Sequence, residues 1–195
     1  MPDIGQAPGE LAVLQAFVNT LDIEQGTDRL ATAAAFDEWL LTAGLVDPSA
    51  SRSAQADLAR AVELREALRA VLATHVTHRV DRVVSRPSRA ARSADPVTRL
   101  AAVAATAQAG IQVDAAGRVV LTPAESGSRG GLTRLLLIAA DATTRGTWAR
   151  LKVCSADDCQ WAFYDRSPGR TGCWCSMQIC GSRAKSRAYR SRAAG

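Results

Sequence analysis

Four cysteines, spaced Cys154-x4-Cys159-x15-Cys175-x4-Cys180, are the residues of this chain best placed to do chemistry. Two close thiol pairs joined by a loop can converge on one tetrahedral metal ion. A thiolate is a soft, anionic ligand, and four of them close the shell of Zn2+ with no position left for water. The chemistry they predict is therefore structural. All five cysteines lie between 154 and 180, whereas a disulfide framework would spread them through a small secreted fold. Cys173 could replace Cys175 as a ligand, but Cys175-x4-Cys180 mirrors Cys154-x4-Cys159, and that symmetry favours Cys175. Cys173 then reads as a neighbouring free thiol.

No other constellation competes. His75 and His78 are the only histidines, and His75 falls on the apolar side of its helix, as a core histidine does. Asp157-Asp158 lies between two cysteines and reads as a turn. The glycine-rich run Ser126–Gly131 lacks the lysine of a phosphate-binding loop and reads as a connector. The expectation is a protein that is not an enzyme.

Charge is distributed unevenly. Residues 1–50 hold eight acids (Asp3, Glu10, Asp22, Glu24, Asp28, Asp37, Glu38, Asp47) against the single base Arg29. From residue 166 onward the charged side chains are Arg166, Arg170, Arg183, Lys185, Arg187, Arg190 and Arg192, with no acid among them. A basic tail of this kind fits a polyanion, DNA above all. If a helix starts near Ser176, Arg183, Arg187 and Arg190 fall at i, i+4 and i+7 on one face, which can follow a phosphate backbone. Five of the nine aromatics (Trp161, Phe163, Tyr164, Trp174 and Tyr189) sit in the last 45 residues. Most of them read as the small core that a metal module lacks aliphatics to build; the other use of such rings is stacking on bases.

The elements that must carry these residues are mostly helical. Leu11, Leu14, Phe17, Val18 and Leu21 predict a helix over 9–21, followed by a polar break, DIEQGTDR. Thr32 caps a second helix over about 32–43, with Gly44 at its exit. A long helix follows over 54–80, with Leu64, Leu68, Val71, Leu72 and His75 on one side and Arg60, Arg65, Arg69 and Arg79 largely elsewhere. Residues 85–95 form a basic loop, and Asp95-Pro96 opens an alanine-rich helix ending near Gly110. Ile111–Val113 and Arg118–Leu121 flank a hairpin turn, and a last helix covers 131–144. The boundary of a second module falls at 146–150, where the composition turns to Cys, Arg and aromatics. No apolar run reaches the ~18–20 residues of a membrane span, and the start lacks a secretory leader, which predicts a cytoplasmic protein.

The stretch from Leu151 to Arg190, with Trp161-Ala162-Phe163-Tyr164-Asp165, WCSM and CGSRAK, resembles the CGNR-type zinc finger of bacteria. The upstream Phe17-Val18-Asn19-Thr20 and the W-L-x-x-x-G-L pattern (Trp39, Leu40, Gly44, Leu45) resemble the ABATE domain that precedes that finger. The resemblance implies a regulator of transcription under stress, with Zn2+ on Cys154, Cys159, Cys175 and Cys180. It implies a mainly α fold: residues 1–148 as a helical domain with a short β-hairpin, and residues 149–195 as a four-cysteine zinc finger ending in a basic helix. The first domain would sense a small-molecule effector or form a homodimer, and the second would bind DNA. The alternative is a zinc-stabilised module that acts on the transcription machinery through protein contacts. Two positions depart from the family pattern: Ser182 stands where its motif has Asn, and Ala16 where an acid is expected.

Overall fold

A computed structural model describes residues 5–76 and 95–193. The long helix ends at Thr74, with His75 as its cap, short of the expected residue 80; His78, Arg79 and nearly all of the basic loop at 85–95 lie outside the described residues.

The chain folds as α1 (Leu11–Val18), β1 (Leu21–Asp22), β2 (Thr27–Asp28), α2 (Ala33–Thr42), α3 (Gln55–Thr74), α4 (Pro96–Ala104), β3 (Ala109–Val113), β4 (Val119–Pro123), α5 (Gly127–Thr144), β5 (Leu151–Val153), β6 (Ala162–Tyr164) and α6 (Ser182–Ala193). It is mainly α, with three separate two-stranded antiparallel hairpins among the described residues, β1–β2, β3–β4 and β5–β6. The core is built by α1, α2, α3 and α5 around Leu14, Phe17, Phe36, Leu40, Leu64, Leu68 and Leu135, all nearly fully buried. These are the apolar positions that recur every three to four residues, so periodicity and burial agree.

Local rules set the ends. Thr32 caps α2 by accepting from the Ala35 N–H, and Asp95 caps α4 by accepting from the Thr98 N–H, with Pro96 at its first position. The W-L-x-x-x-G-L motif is the closure of α2. Gly44 takes φ +65, its N–H and that of Leu45 donate to Leu41 and Leu40, and Leu45 returns to the core. A left-handed residue at that point is what a Schellman cap requires.

Three sequence expectations are corrected. The polar break after α1 contains the β1–β2 hairpin, and α4 ends at Ala104 because Ala109 already belongs to β3. Arg65 and Arg69, which the spacing places largely off the apolar side of their helix, are buried (2% and 4% exposed). Arg65 pairs in bidentate fashion with Asp28 of β2 at 2.7 and 2.9 Å, which ties that hairpin to α3. Burial opposes charge on Asp28, but the Arg65 contact outweighs it and holds the carboxyl below its usual range. Finally, the glycine-rich connector forms the first turns of α5. A Cβ on Gly130 would collide with the Glu125 carbonyl oxygen, and one on Gly131 would meet Leu40 at 3.0 Å. Close helix approach overrides the weak helix propensity of glycine here.

His75 closes α3, half-buried, as its apolar-face position predicted. Its Nδ1 lies 2.8 Å from the Leu151 carbonyl oxygen, and its ring stands edge-on to Trp148. Burial pushes its pKa below the ordinary histidine range; the Leu151 bond works against this and the Lys152 charge adds to it. A depressed folded pKa means that protonation favours the unfolded chain. Stability from this source is therefore complete above the unfolded value of about 6.5 and is lost as pH falls below it. Urea melts between pH 8 and 5.5 should show this loss, and His75→Gln should flatten that part of the profile.

Candidate metal centre and basic helix

β5 leaves the 3-10 turn Trp148–Arg150 and pairs with β6 in the register Leu151↔Tyr164, Lys152↔Phe163, Val153↔Ala162. Leu151, Val153 and Ala162 are fully buried in the core of the preceding helices. The linkage is also polar. Asn19 accepts from the Ala162 N–H at 2.7 Å and donates to its carbonyl at 2.9 Å, while Gln15 donates to the same carbonyl at 3.1 Å. Asn19 of the Phe17-Val18-Asn19-Thr20 segment thus serves β6 as a neighbouring strand would. The expected boundary at 146–150 marks a turn, and the first hairpin beyond it shares the helical core.

β5 hands the chain to the cysteines. The Cys154 N–H bonds to the Trp161 carbonyl and the Cys159 N–H to that of Ala156, so residues 154–159 form a tight turn, closed by Gln160 at φ +49. Asp157 and Asp158 lie on that turn, as read from the sequence. Of the second pair, Cys180 sits in a π-type turn, Met177–Gly181, and Cys175 directly precedes its cap Ser176, whose Oγ accepts from the Ile179 N–H. This π-helical segment runs without a break into α6 at Ser182, so helical structure begins next to Ser176, as expected. Ser182 Oγ donates to the Met177 carbonyl at 3.3 Å, so serine serves as a hydrogen-bonding residue at this position.

The four sulfurs of Cys154, Cys159, Cys175 and Cys180 lie within 4.8 Å of one another. Cys159–Cys175 is 3.6 Å and Cys175–Cys180 is 3.7 Å. A tetrahedron with metal–sulfur bonds of about 2.3 Å has edges of about 3.8 Å, so the donor set fits one tetrahedral ion. Three of the four cysteines are buried, and Trp161 and Trp174 pack against them. Protonation favours the same conclusion. The Cys159 thiolate is held low by hydrogen bonds from Cys154 and Cys175, while bonds with Cys154 and Cys159 push Cys175 far up. Burial and neighbouring thiolates push Cys180 up to about 12. Four coexisting thiolates need a cation, and metal capture must release protons. Cys173 stays outside the set; burial raises its thiol pKa, and only its carbonyl is used, accepting from the Ser155 N–H.

Behind the cysteines lies a contact the sequence reading missed. Lys152 and Asp165 form an ion pair at 2.8 Å, with side chains 1% and 4% exposed. The ammonium has three donors and three acceptors: Asp165 Oδ2 and the carbonyls of Arg170 and Gly172. Asp165 in turn accepts from the N–H groups of Ser167 and Gly172. The pair pins the loop 165–172 that delivers Cys175 to the site. Burial works against the Asp165 charge, yet Lys152, Ser167 and Gly172 outweigh it and hold the carboxyl at about 2. A Cβ on Gly172 would lie 2.9 Å from the Asp165 carboxyl carbon, so this position has no room for a side chain. The available signal was strand alternation: with Leu151 and Val153 facing the helical core, Lys152 must face the metal module.

Of the predicted polyanion contacts, Arg183, Arg187 and Arg190 line one concave face with Gln178, Ile179 and Ser186. Two of these arginines already have partners. Arg183 pairs with Glu24 of the β1–β2 turn at 2.7 Å, and Arg187 with Asp158 at 3.3 Å. Lys185 lies on α6 outside that face. Arg166 donates to the Gln6 carbonyl, and Arg170 sits at φ +52 with its carbonyl on Lys152. Among the aromatics of the tail, Phe163 is buried and Tyr189 is 71% exposed.

A helical domain is thus joined through one hairpin to a four-cysteine metal module and a basic helix. Residues 11–145 match the ABATE family, described as "Putative stress-induced transcription regulator", and residues 150–193 match the CGNR zinc finger. The chain belongs to the ABATE family and carries a CGNR finger at its end. No curated protein matches it. None of the described helices is long and apolar enough to cross a membrane.

Proposed function

We propose that this protein is a transcription regulator that holds one structural Zn2+ on Cys154, Cys159, Cys175 and Cys180 and contacts DNA phosphates through α6. Four cysteine ligands suit zinc and leave no open coordination position, which argues for a scaffold and against an enzyme. The observation that carries the DNA reading is the convergence of Arg183, Arg187 and Arg190 on one concave face next to a metal-anchored turn. Arginine on a fixed helix face can grip phosphate with two donors at once. Exposed Tyr189 adds a ring that can stack.

Fluorescence anisotropy of the zinc-loaded protein on mixed duplex DNA across a salt series tests this. Affinity should fall with a log–log slope of about −0.9 per phosphate neutralised, and alanine at all three arginines should make the slope shallower by up to about 2.7. Zinc content should stay at one per chain. Glu24→Gln frees Arg183 and should raise affinity by no more than about five-fold, since exposed ion pairs are weak. A flat, weak signal from wild type and triple variant alike would refute the DNA reading.

A second reading, a protein-interaction module on the transcription machinery, draws on Met177 (57% exposed) and Ile179 (38%) beside the same arginines. Capture of an acidic protein without DNA affinity would select it.

A further inference from the structure

We propose that α6 enters the major groove of duplex DNA and reads bases through Gln178, Ser186 and Tyr189, an uncharged stripe between two rows of cations. The assignment rests on the DNA reading above and adds the groove and the side chains that discriminate sequence. Successive residues of an α-helix are turned by about 100°. Arg183, Arg187 and Arg190 therefore fall within about 60° of one another, while Lys185 and Arg192 lie together on roughly the opposite side of the same helix. Two strips separate these rows. One holds Ala184 and Ala188, the half-buried positions of α6, and so faces the body of the protein. The other holds Ser182, Ser186 and Tyr189, all exposed, and faces away from it. Gln178, exposed in the π-type turn, extends this outer strip and lines the same concave face as Ser182 and Ser186.

The opposed rows decide how the helix meets DNA. A helix laid along a single phosphate strand uses cations on one side, and Lys185 and Arg192 would then point into solvent. Rows on both sides fit a helix with a strand on either flank. An α-helix with its side chains is about 10–12 Å across, the major groove about 12 Å wide and the minor groove about 6 Å, so the major groove admits it. Glu24 and Asp158 hold Arg183 and Arg187 at 2.7 and 3.3 Å, which fixes the first row in place. Each guanidinium keeps further N–H donors for phosphate.

The outer strip has the groups that groove floors require. A glutamine amide can pair with adenine N6 and N7 in bidentate fashion. The Ser182 hydroxyl already donates to the Met177 carbonyl, which leaves Ser186 and Tyr189, whose hydroxyls can donate and accept. Gln178 to Tyr189 spans roughly 16 Å at about 1.5 Å per residue, or about five base pairs. The expected site is short and prefers adenine at the end that meets Gln178.

Selection of duplexes from a randomised pool by the zinc-loaded protein, followed by dimethyl sulfate footprinting of the selected duplex, tests this. Guanine N7, in the major groove, should be protected, and adenine N3, in the minor groove, should stay reactive. Gln178→Ala should cut discrimination at one base position by about five- to 150-fold. It should keep the salt slope, because a neutral amide displaces no counterion. Lys185→Ala/Arg192→Ala should make the slope shallower by up to about 1.8 and keep the base preference. Protection of N3 in place of N7, or a selected sequence that both Gln178→Ala and Tyr189→Phe leave unchanged, would overturn the groove assignment while salt-dependent binding upholds the DNA reading. Absence of salt-dependent binding by the wild type would remove both.

Discussion

Cys180→Ser should abolish stoichiometric zinc binding and release the segment beyond Asp165 from its folded position. Cys180 is 1% exposed and sits at the end of the π-type turn, so its loss removes one ligand and the anchor of α6 together. Metal binding in small cysteine modules is worth on the order of 10 kcal/mol, and the segment from 166 onward has few aliphatic side chains to replace it. The break should not fall at the module boundary. Leu151, Val153 and Ala162 belong to the helical core, and Asn19 and Gln15 bond to Ala162. Hydrogen exchange should therefore show β5 and β6 protected together with α1 and α3 while residues 166–193 become fast. Zinc content measured beside it checks the ligand assignment, and an unchanged ratio of one per chain would refute it. If the hairpin exchanges as fast as α6, the shared core is not what holds it.

Asp165→Asn should destabilise the chain by about 3–5 kcal/mol, the range for removing one partner of a buried ion pair. The Lys152 ammonium would keep its two carbonyl acceptors and lose its only counter-charge while 1% exposed. For a chain of this length that is a drop of roughly 6–20 °C in melting temperature. Lys152→Met strands the Asp165 carboxylate in the same way. The double variant Lys152→Met/Asp165→Asn should cost less than the sum, because neither charge is then left unpaired. The pair also sets an acid limit. Asp165 titrates at about 2 in the fold against an ordinary value of 3.8, so its stabilisation is complete above pH 4 and is lost as pH falls through the folded value. A wild-type acid midpoint that Asp165→Asn leaves unmoved would count against this account.

The sequence alone determined what depends on local spacing. The x4–x15–x4 cysteine pattern named the four ligands because two thiols on one short turn are fixed by that turn, and symmetry of the two turns chose Cys175 over Cys173. Amphipathic periodicity found α1, α2, α3 and α5, because a helix buries whatever recurs every three to four residues, while Asp95-Pro96 marked the start of α4. Asp114–Gly117 marked the β3–β4 turn through residue types that tolerate its backbone. Arginines at i, i+4 and i+7 reached one face because α6 is a regular helix.

Tertiary structure decided what depends on partners distant in sequence. Ser126–Gly131 reads as a connector until it folds as the first turns of α5, where a Cβ at Gly130 would strike the Glu125 carbonyl and one at Gly131 would crowd Leu40 of α2. Arg65 and Arg69 fall off the apolar stripe of α3 in sequence, and burial of Arg65 is met only because the β1–β2 hairpin brings Asp28 against it. Lys152 and Asp165 look like ordinary surface charges 13 residues apart, and only pairing of β5 with β6 and return of the 165–172 loop bury them together. The metal module reads as a separate unit because composition changes at 146–150, yet its first hairpin completes the helical core. Burial is a property of the whole fold, and no window of sequence contains it.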